Sequence, residues 1–574
     1  MTKHSSHIFL FPFSFEKSFT DVIKNMELRG RNWDQQNFNA NGVDRQNQHV
    51  YFHDYAEEIL FNSNSNVKCF EYSGLGSNSQ YSICLLDNGV KRVFNLNLNK
   101  VTLNIYNTHV GVLSFFLDNY TTEDREDILK INDFGRRLFP QFVTGGENSI
   151  AASQNSFLPV SITITRDEIP AEIIINTVDG HIRAEKDVIT YEDFSYYRSF
   201  GNNIASVSQK QTRLPDHIIK LLGEECFCDE SCVQHGLIKI KPVIDDRMFV
   251  ISGYVNAVMD TLKQFSDGHY TFELWNNQNW INLSTKEAES WGEKAVFSKD
   301  EMAQRKELDF WYRYLFIDTN QATCQSLHQI TGLIKEHTYD RWVNWGKLYG
   351  ISRYSFVLLA SSQFEFDTML DKHLNNLYYY MALLCIVERS SILQFSERVS
   401  LVSGFKDPKQ ISKAEIDRVS ELYYDYINFI NRVYLREITA QEQGIELYNM
   451  LMEKMNIKNE VENLDNEISE LHTYVSLIED RKRNIRMAEL NILAVFFIPA
   501  SLIAAILGVG FIGEGTGFDW FGTLDTKMAK SLWLIFAGGL LISIVYYLLS
   551  NFKSITAHVF RAFSNKKNHY NKLS

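Results

Sequence analysis

No Walker loop, no HExxH and no GxSxG nucleophile elbow occurs in the 574 residues, so nothing in the sequence points to phosphate-loop hydrolysis, a metalloprotease or a serine hydrolase. Gly74-Leu75-Gly76 is an incomplete dinucleotide fingerprint and reads as a turn. An excess of basic residues is also missing. The formal net charge is -13, which argues against direct nucleic-acid binding, because that needs Lys and Arg to neutralise phosphates. Repeats and low-complexity tracts are not evident. The opening run His7-Ile8-Phe9-Leu10-Phe11-Pro12-Phe13 is too short, too interrupted by proline and too poor in small residues to be a secretory signal. The seven cysteines are therefore expected to be reduced thiols of a cytoplasmic body, and enzymatic activity is not expected.

Charge is absent, too, from two long runs near the end of the chain, residues 490–513 and 531–552. Roughly 20 apolar residues cross a bilayer as a helix, so each run is expected to be a transmembrane helix, joined by an extracytoplasmic loop over 514–530. Arg481, Lys482, Arg483 and Arg486 precede the first run; Lys553, Arg561, Lys566 and Lys567 follow the second in a basic tail over 553–574. That bias predicts a multi-pass protein of the inner membrane with both termini cytoplasmic.

Ahead of these runs the length exceeds what one core usually supports, so two or more units are expected. Period-two alternation over residues 94–98 and 100–106 predicts a β-hairpin turning at 97–100, and the same alternation marks residues 161–165 and 237–241. Residues 124–138 and 216–222 read as helices. The expected fold is an α/β domain over 1–260, a mainly helical region over 261–407, with residues 377–387 a buried helix, and stalk helices over 408–489. Ile457, Val461, Leu464, Ile468, Leu471, Val475 and Ile478 alternate spacings of four and three, the seam of a coiled coil. No proline or glycine interrupts residues 445–488, so one helix is expected to run from the stalk into the first apolar run.

On that run Met487, Asn491, Ala494, Ile498, Ser501, Ala505 and Gly508 share a face of mostly small or polar residues. The face either lines a channel in a homo-oligomer or lets helices pack closely. Asn484 and the string from Pro499 to Phe511 (Pro-Ala-Ser-Leu-Ile-Ala-Ala-Ile-Leu-Gly-Val-Gly-Phe) resemble the first membrane helix and pore mouth of the CorA family of divalent-cation channels. That resemblance implies a pentamer with this helix lining the pore. Where the family carries Gly-Met-Asn, this chain reads Gly508-Val509-Gly510, so the amide ring that recognises hydrated magnesium is absent, and backbone carbonyls of Gly508 and Gly510 remain as ion contacts. The strings at 315–318, 337–342, 348–356 and 437–444 resemble the divergent CorA-like effectors of type III CRISPR systems. This second resemblance implies an antiviral effector gated by a nucleotide second messenger, an S-adenosylmethionine joined to AMP. Met487, Leu490 and Ile498 would form the apolar gate. The alternatives are a constitutive magnesium or zinc transporter and a membrane-tethered nucleotide receptor that does not conduct.

Two further groups are candidates. Arg136 and Arg137 suit forked contacts to phosphate, with Asp216 accepting from a ribose hydroxyl or an ammonium group; the alternative is surface ion pairing and a helix cap. Cys226, Cys228, Cys232 and His235 are ligand types for a structural zinc, although their spacing is not that of paired CxxC knuckles.

Overall fold

The computed structural model describes residues 2–29, 32–36, 51–60, 66–87, 89–138, 159–167, 188–194, 215–227, 240–244, 247–256, 263–264, 270–271, 299–403 and 412–509. The strands are β1 (Ser5–Phe15), β2 (Trp33–Gln35), β3 (Val67–Tyr72), β4 (Gln80–Asp87), β5 (Val90–Tyr106), β6 (Val110–Asn119), β7 (Ser161–Thr165), β8 (Val188–Asp193), β9 (Ile240–Pro242), β10 (Phe249–Val255), β11 (Lys263–Gln264), β12 (Tyr270–Thr271), β13 (Thr338–Tyr339), β14 (Lys347–Ser352) and β15 (Ser355–Ala360). All except the β11–β12 pair join one 13-stranded sheet of order β13-β14-β15-β10-β1-β6-β5-β4-β7-β8, with β2 and β3 branching from β5 and β9 pairing β1. The longer α-helices among the described residues are α1 (Phe19–Arg29), α2 (Asp54–Leu60), α3 (Arg125–Gly135), α4 (Asp216–Leu222), α5 (Glu224–Phe227), α6 (Lys299–Phe316), α7 (Leu327–His337), α8 (Tyr379–Ser403), α9 (Lys413–Arg432), α10 (Glu442–Lys454) and α11 (Ile457–Val509).

β1 is central, and all eleven of its residues are buried. A strand covered on both faces reads as a continuous apolar run. Its odd positions Phe9, Phe11, Phe13 and Phe15 enter a core shared with Tyr81, Ile83, Phe115 and the inner residues of α3 and α6. The opposite face meets α8, whose Tyr379 ring lies 4.8 Å from that of Phe116 and whose Tyr379 hydroxyl lies within hydrogen-bond distance of Thr102, Asn104 and Ser114. Pro12 is tolerated in this strand because β10 pairs with β1 only as far as Leu10 and β9 takes over at Phe13. The missing N–H falls in the gap between them, while the Pro12 carbonyl accepts from Val243 N at 3.3 Å.

The structure corrects several expectations. Residues 94–106 are not a hairpin: β5 is a single 17-residue strand whose first half pairs β4 and whose second half pairs β6, with a bulge between Leu98 and Lys100. The bulge residue Asn99 donates to Asp118 at 2.7 Å instead of turning the chain. Nor does the sheet end near residue 260, because β14 and β15 return to it and β15 pairs β10 in parallel, making the sheet mixed and carrying it into the region expected to be helical. The fold is a large mixed sheet with helices concentrated toward the C-terminal part.

The membrane expectation is corrected as well. Among the described residues no helix is long and apolar enough to cross a membrane. Residues 490–509 are the end of α11. The two-span hairpin, the multi-pass inner-membrane placement and the ion-channel reading are therefore withdrawn. The second run, the loop over 514–530, the basic tail and Gly510 lie outside the described residues.

By internal contacts the chain divides into one unit of Met1–Lys406 with Asp417–Ser469 and another of Asp407–Ile416 with Glu470–Ser574. In the first, the seam residues Ile457, Val461, Leu464 and Ile468 are buried. Tyr426 of α9 donates to Val461 O at 3.5 Å, so α9 covers part of that seam within the chain. In the second, α11 exposes Met487, Leu490 and Ile498 by 54%, 59% and 62%, and Asn484 and Asn491 are exposed too; Ser501, Ala505 and Gly508 follow in the same helix.

Gly111 of β6 shows how closely the β1 core is packed. A Cβ there would sit 2.4 Å from the Phe13 ring, and that ring is wedged 5.4 Å edge-on against Phe227. Gly111→Ala should cost about 1–3 kcal/mol by overpacking, read as a lower denaturation midpoint in urea; an unchanged midpoint would show that the Phe13 ring can move.

Candidate functional site

Arg136 and Arg137 end α3, whose N-terminus is capped by Asp124 accepting from Glu126 N. Both guanidinium groups point inward: Arg136 is 1% exposed and Arg137 3%. Arg137 makes a forked contact with Asp133 through Nε at 3.1 Å and Nη2 at 2.7 Å, and Arg136 donates to Ile317 O at 3.2 Å. Thr319 donates to the other Asp133 oxygen at 2.5 Å. Burial works to raise the Asp133 carboxyl, but Arg137 and Arg136 overcome it and hold the group below the ordinary carboxylate range. The pair is an internal charge network, with no open face for a phosphate. Ile317, which receives Arg136, has φ +58°, a strained value for a β-branched residue. Asp216 is the first residue of α4, and its helix has no side-chain cap. Cys226 is buried in α5, whereas Cys228, Cys232 and His235 lie outside the described residues. Among the described residues no three metal-ligating side chains gather.

A second polar group came with no sequence signal. His7 on β1 is fully enclosed; its Nδ1 lies 2.7 Å from Asn132 Oδ1 and its Nε2 lies 2.8 Å from Ser5 Oγ. The Asn132 carbonyl oxygen places the proton on Nδ1, so Nε2 accepts from the serine. Asn132 also donates to Ser252 at 3.2 Å, and Tyr314 donates to the same hydroxyl at 3.0 Å. Burial lowers the His7 pKa to about 4. The residue types are those of a nucleophile, a base and an orienting group, yet Ser5, His7 and Asn132 are all closed to solvent. What they do is tie β1, α3, β10 and α6 together.

The third group is open at one side. The helical run ahead of α8 contains two π-helical turns, Phe366–Leu370 and Leu374–Tyr378, a feature frequent at functional sites. The second turn delivers Tyr378 to Tyr349 of β14, ring centroids 5.7 Å apart, and to Gln443 of α10, whose amide donates to Tyr378 Oη at 2.7 Å. Tyr339 of β13 is edge-on to Tyr349 at 5.9 Å and donates its hydroxyl to Glu446. Arg341 closes the rim, with Nη1 2.7 Å from Glu446 and Nη2 2.9 Å from Glu442. His373 is edge-on to Tyr378 and to Tyr51; burial, helped by Lys347, lowers its pKa. Burial raises the Tyr349 and Tyr378 hydroxyls, and the hydrogen bond from Tyr339 holds Glu446 low. From inside to rim the cluster therefore runs from neutral hydroxyls through an amide to an arginine between two carboxylates. Trp345, 62% exposed, lies on the same β13–β14 connection.

Segments far apart in sequence meet here. Residues 337–342, 348–356 and 437–444 supply Tyr339, Arg341, Tyr349, Glu442 and Gln443. Residues 315–318 adjoin them, because Ser355 donates to Leu315 O and the Phe316 ring lies 5.1 Å from His337. Tyr339 and Tyr349 could have been found in the sequence only through those strings, since nothing in their spacing marks them, and Tyr378 lies outside all of them. Compared with known proteins, the chain matches no family model and no curated protein.

Removing the carboxylate of Asp133 would take an ion-pair partner from two buried cations. Asp133→Ala should destabilise the chain by about 3–5 kcal/mol. The loss should shrink in the double variant Asp133→Ala/Arg137→Met. Chemical denaturation of both measures it, and equal losses would mean that the pair is not coupled.

Proposed function

We propose that the chain is a receptor, without catalytic activity of its own, for a nucleotide second messenger of the S-adenosylmethionine–AMP type, acting in type III CRISPR antiviral defence. One observation carries the reading: three of the four strings that resemble the effectors of those systems supply one polar and aromatic cluster, and the fourth adjoins them. The chemistry of the cluster suits such a ligand. Arg341 offers a planar fork for a phosphate. Glu442 and Glu446 can accept from ribose hydroxyls or an ammonium group, and the exposed face of Trp345 can stack on a base. The present partners of Arg341 are half-exposed or exposed carboxylates, and exposed ion pairs are worth little, so a phosphate can replace them. Arg136 and Arg137, committed to Asp133, play no part in this reading, and neither does conduction across a membrane.

Calorimetry on the full chain tests it. The S-adenosylmethionine–AMP conjugate should bind, and Arg341→Ala should weaken binding by about 10- to 100-fold, the loss of one or two charge-assisted hydrogen bonds at roughly 1.5–3 kcal/mol, with the thermal midpoint nearly unchanged. No binding by the unaltered chain would reject the receptor; unchanged binding in Arg341→Ala would reject the site.

A further inference from the structure

The face of the sheet on which α8 packs extends onto the first half of β5 and across β4, β7 and β8, and there it is polar yet buried. The opposite face of these strands, with Tyr81, Ile83, Phe94, Leu96, Ile162 and Ile164, belongs to the apolar core. Pairing puts Asn95, Ser82, Thr163 and Tyr191 side by side in one row, since Ser82 stands opposite both Asn95 and Thr163, and Thr163 opposite Tyr191. Gln80 and Ser161 stand one step along the strands, on either side of that row. Ser82 and Ser161 are 0% exposed, Thr163 4% and Gln80 7%. Their side-chain oxygens, with Asn95 Oδ1 and Tyr191 Oη, are buried and have no hydrogen-bond partner. Elsewhere on this face Thr102, Asn104 and Ser114 meet the Tyr379 hydroxyl. An unpaired buried polar atom destabilises a fold, and six of them adjacent on one sheet face are the arrangement of a binding floor rather than of a core.

We propose that this row is the floor of a binding site for an uncharged nucleoside, separate from the Arg341 cluster, which lies toward the β13–β14 end of the sheet order while the row runs to β8 at the other end. The chemistry selects the ligand. Neighbouring strands set the groups of the row about 4.8 Å apart. Amide oxygens that accept alternate there with hydroxyls that donate or accept, which suits the in-plane donors and acceptors of a base edge and the hydroxyls of ribose. A planar base can lie with its edge along such a row, whereas a pyranose sends its hydroxyls in several directions and would leave part of the row unpaired. Burial first, then Asp193 and Cys84, push the Tyr191 hydroxyl up, so it keeps its proton and serves as a donor. Phosphate is disfavoured, because the charged group beside the row is the Asp193 carboxylate, opposite Ser161, and no Lys or Arg stands among the residues paired there.

A floor of this kind trades stability for binding. Its hydroxyls weaken the ligand-free chain, because each has given up water without gaining a partner, and the nucleoside restores the missing hydrogen bonds. Deleting one of them should therefore strengthen the free chain and weaken the complex. A hydroxyl with a merely structural role would do the reverse, since its loss would cost stability and leave binding alone.

Calorimetry on the full chain with adenosine, guanosine, cytidine and uridine, each beside ribose and its own 5′-monophosphate, tests the floor. At least one nucleoside should bind, and more tightly than ribose or its monophosphate. Ser82→Ala and Thr163→Val should each weaken that binding by about 3- to 10-fold, the loss of one neutral hydrogen bond, while Thr163→Ser keeps it. The urea midpoint of the ligand-free chain should rise in both hydroxyl-deleting variants. Arg341→Ala should leave nucleoside binding as it is, so this floor and the receptor reading of the Arg341 cluster can fail separately. The floor is overturned if none of the four nucleosides binds, if ribose or the monophosphate binds as tightly, if affinity is unchanged in both Ser82→Ala and Thr163→Val, if the midpoint falls in both, or if Arg341→Ala abolishes the binding.

Discussion

The structure depends on β1 being a strand with no side to spare for water. It pairs β6 along nearly its whole length and, on its other edge, β10 and then β9. Helices cover both of its faces. Burying it therefore assembles segments from residues 5 to 403, which local contacts could not bring together. The cost of non-local pairing is loop-closure entropy, and the large apolar area that returns on closure offsets it. Because both faces are dry, a polar residue there must find its partners inside, and His7 does so through Ser5 and Asn132.

The same rule governs charge. Asp133 with Arg137 and Arg136, and Glu388 with Leu435 and Tyr448, are two answers to the problem of a buried ionisable group. The first keeps its charges and pairs them. In the second, burial pushes the carboxyl up to about 8, against the Leu435 N–H and the Tyr448 hydroxyl that donate to it. The two stand on opposite faces of the sheet, one closing α3 onto the end of α6, the other closing α8 onto α10. Neither is open to a ligand. The Tyr339, Tyr349, Tyr378 and Gln443 cluster differs, because its outer members Arg341 and Glu442 keep solvent on one side and their ion pairs can be exchanged.

Much of the local structure was legible. The helices over Arg125–Gly135 and Asp216–Leu222 and the strand over Ser161–Thr165 lie where the sequence pattern put them. The errors have physical causes. Asn97 to Lys100 looked like a turn because polar residues cluster there, yet neighbours on both edges held the strand straight and absorbed Asn99 as a bulge. His7 to Phe13 offered no alternation because a doubly covered strand has none to show. Arg136 and Arg137 looked like a phosphate fork because pairing with a residue three or four positions earlier cannot be told from exposure by sequence. Of the candidate site, only the strings at 337–342, 348–356 and 437–444 gave any sign.

Sequence by itself determined the apolar positions, the helix starts and the uninterrupted run of α11, since these follow from side-chain type, capping chemistry and the absence of Pro and Gly over a few consecutive residues. Tertiary structure alone decided which polar residues are buried, which carboxyl burial pushes upward, and which distant tyrosines share a cluster with Arg341. Those properties depend on the dielectric and the donors around each group, and residues hundreds of positions away supply both.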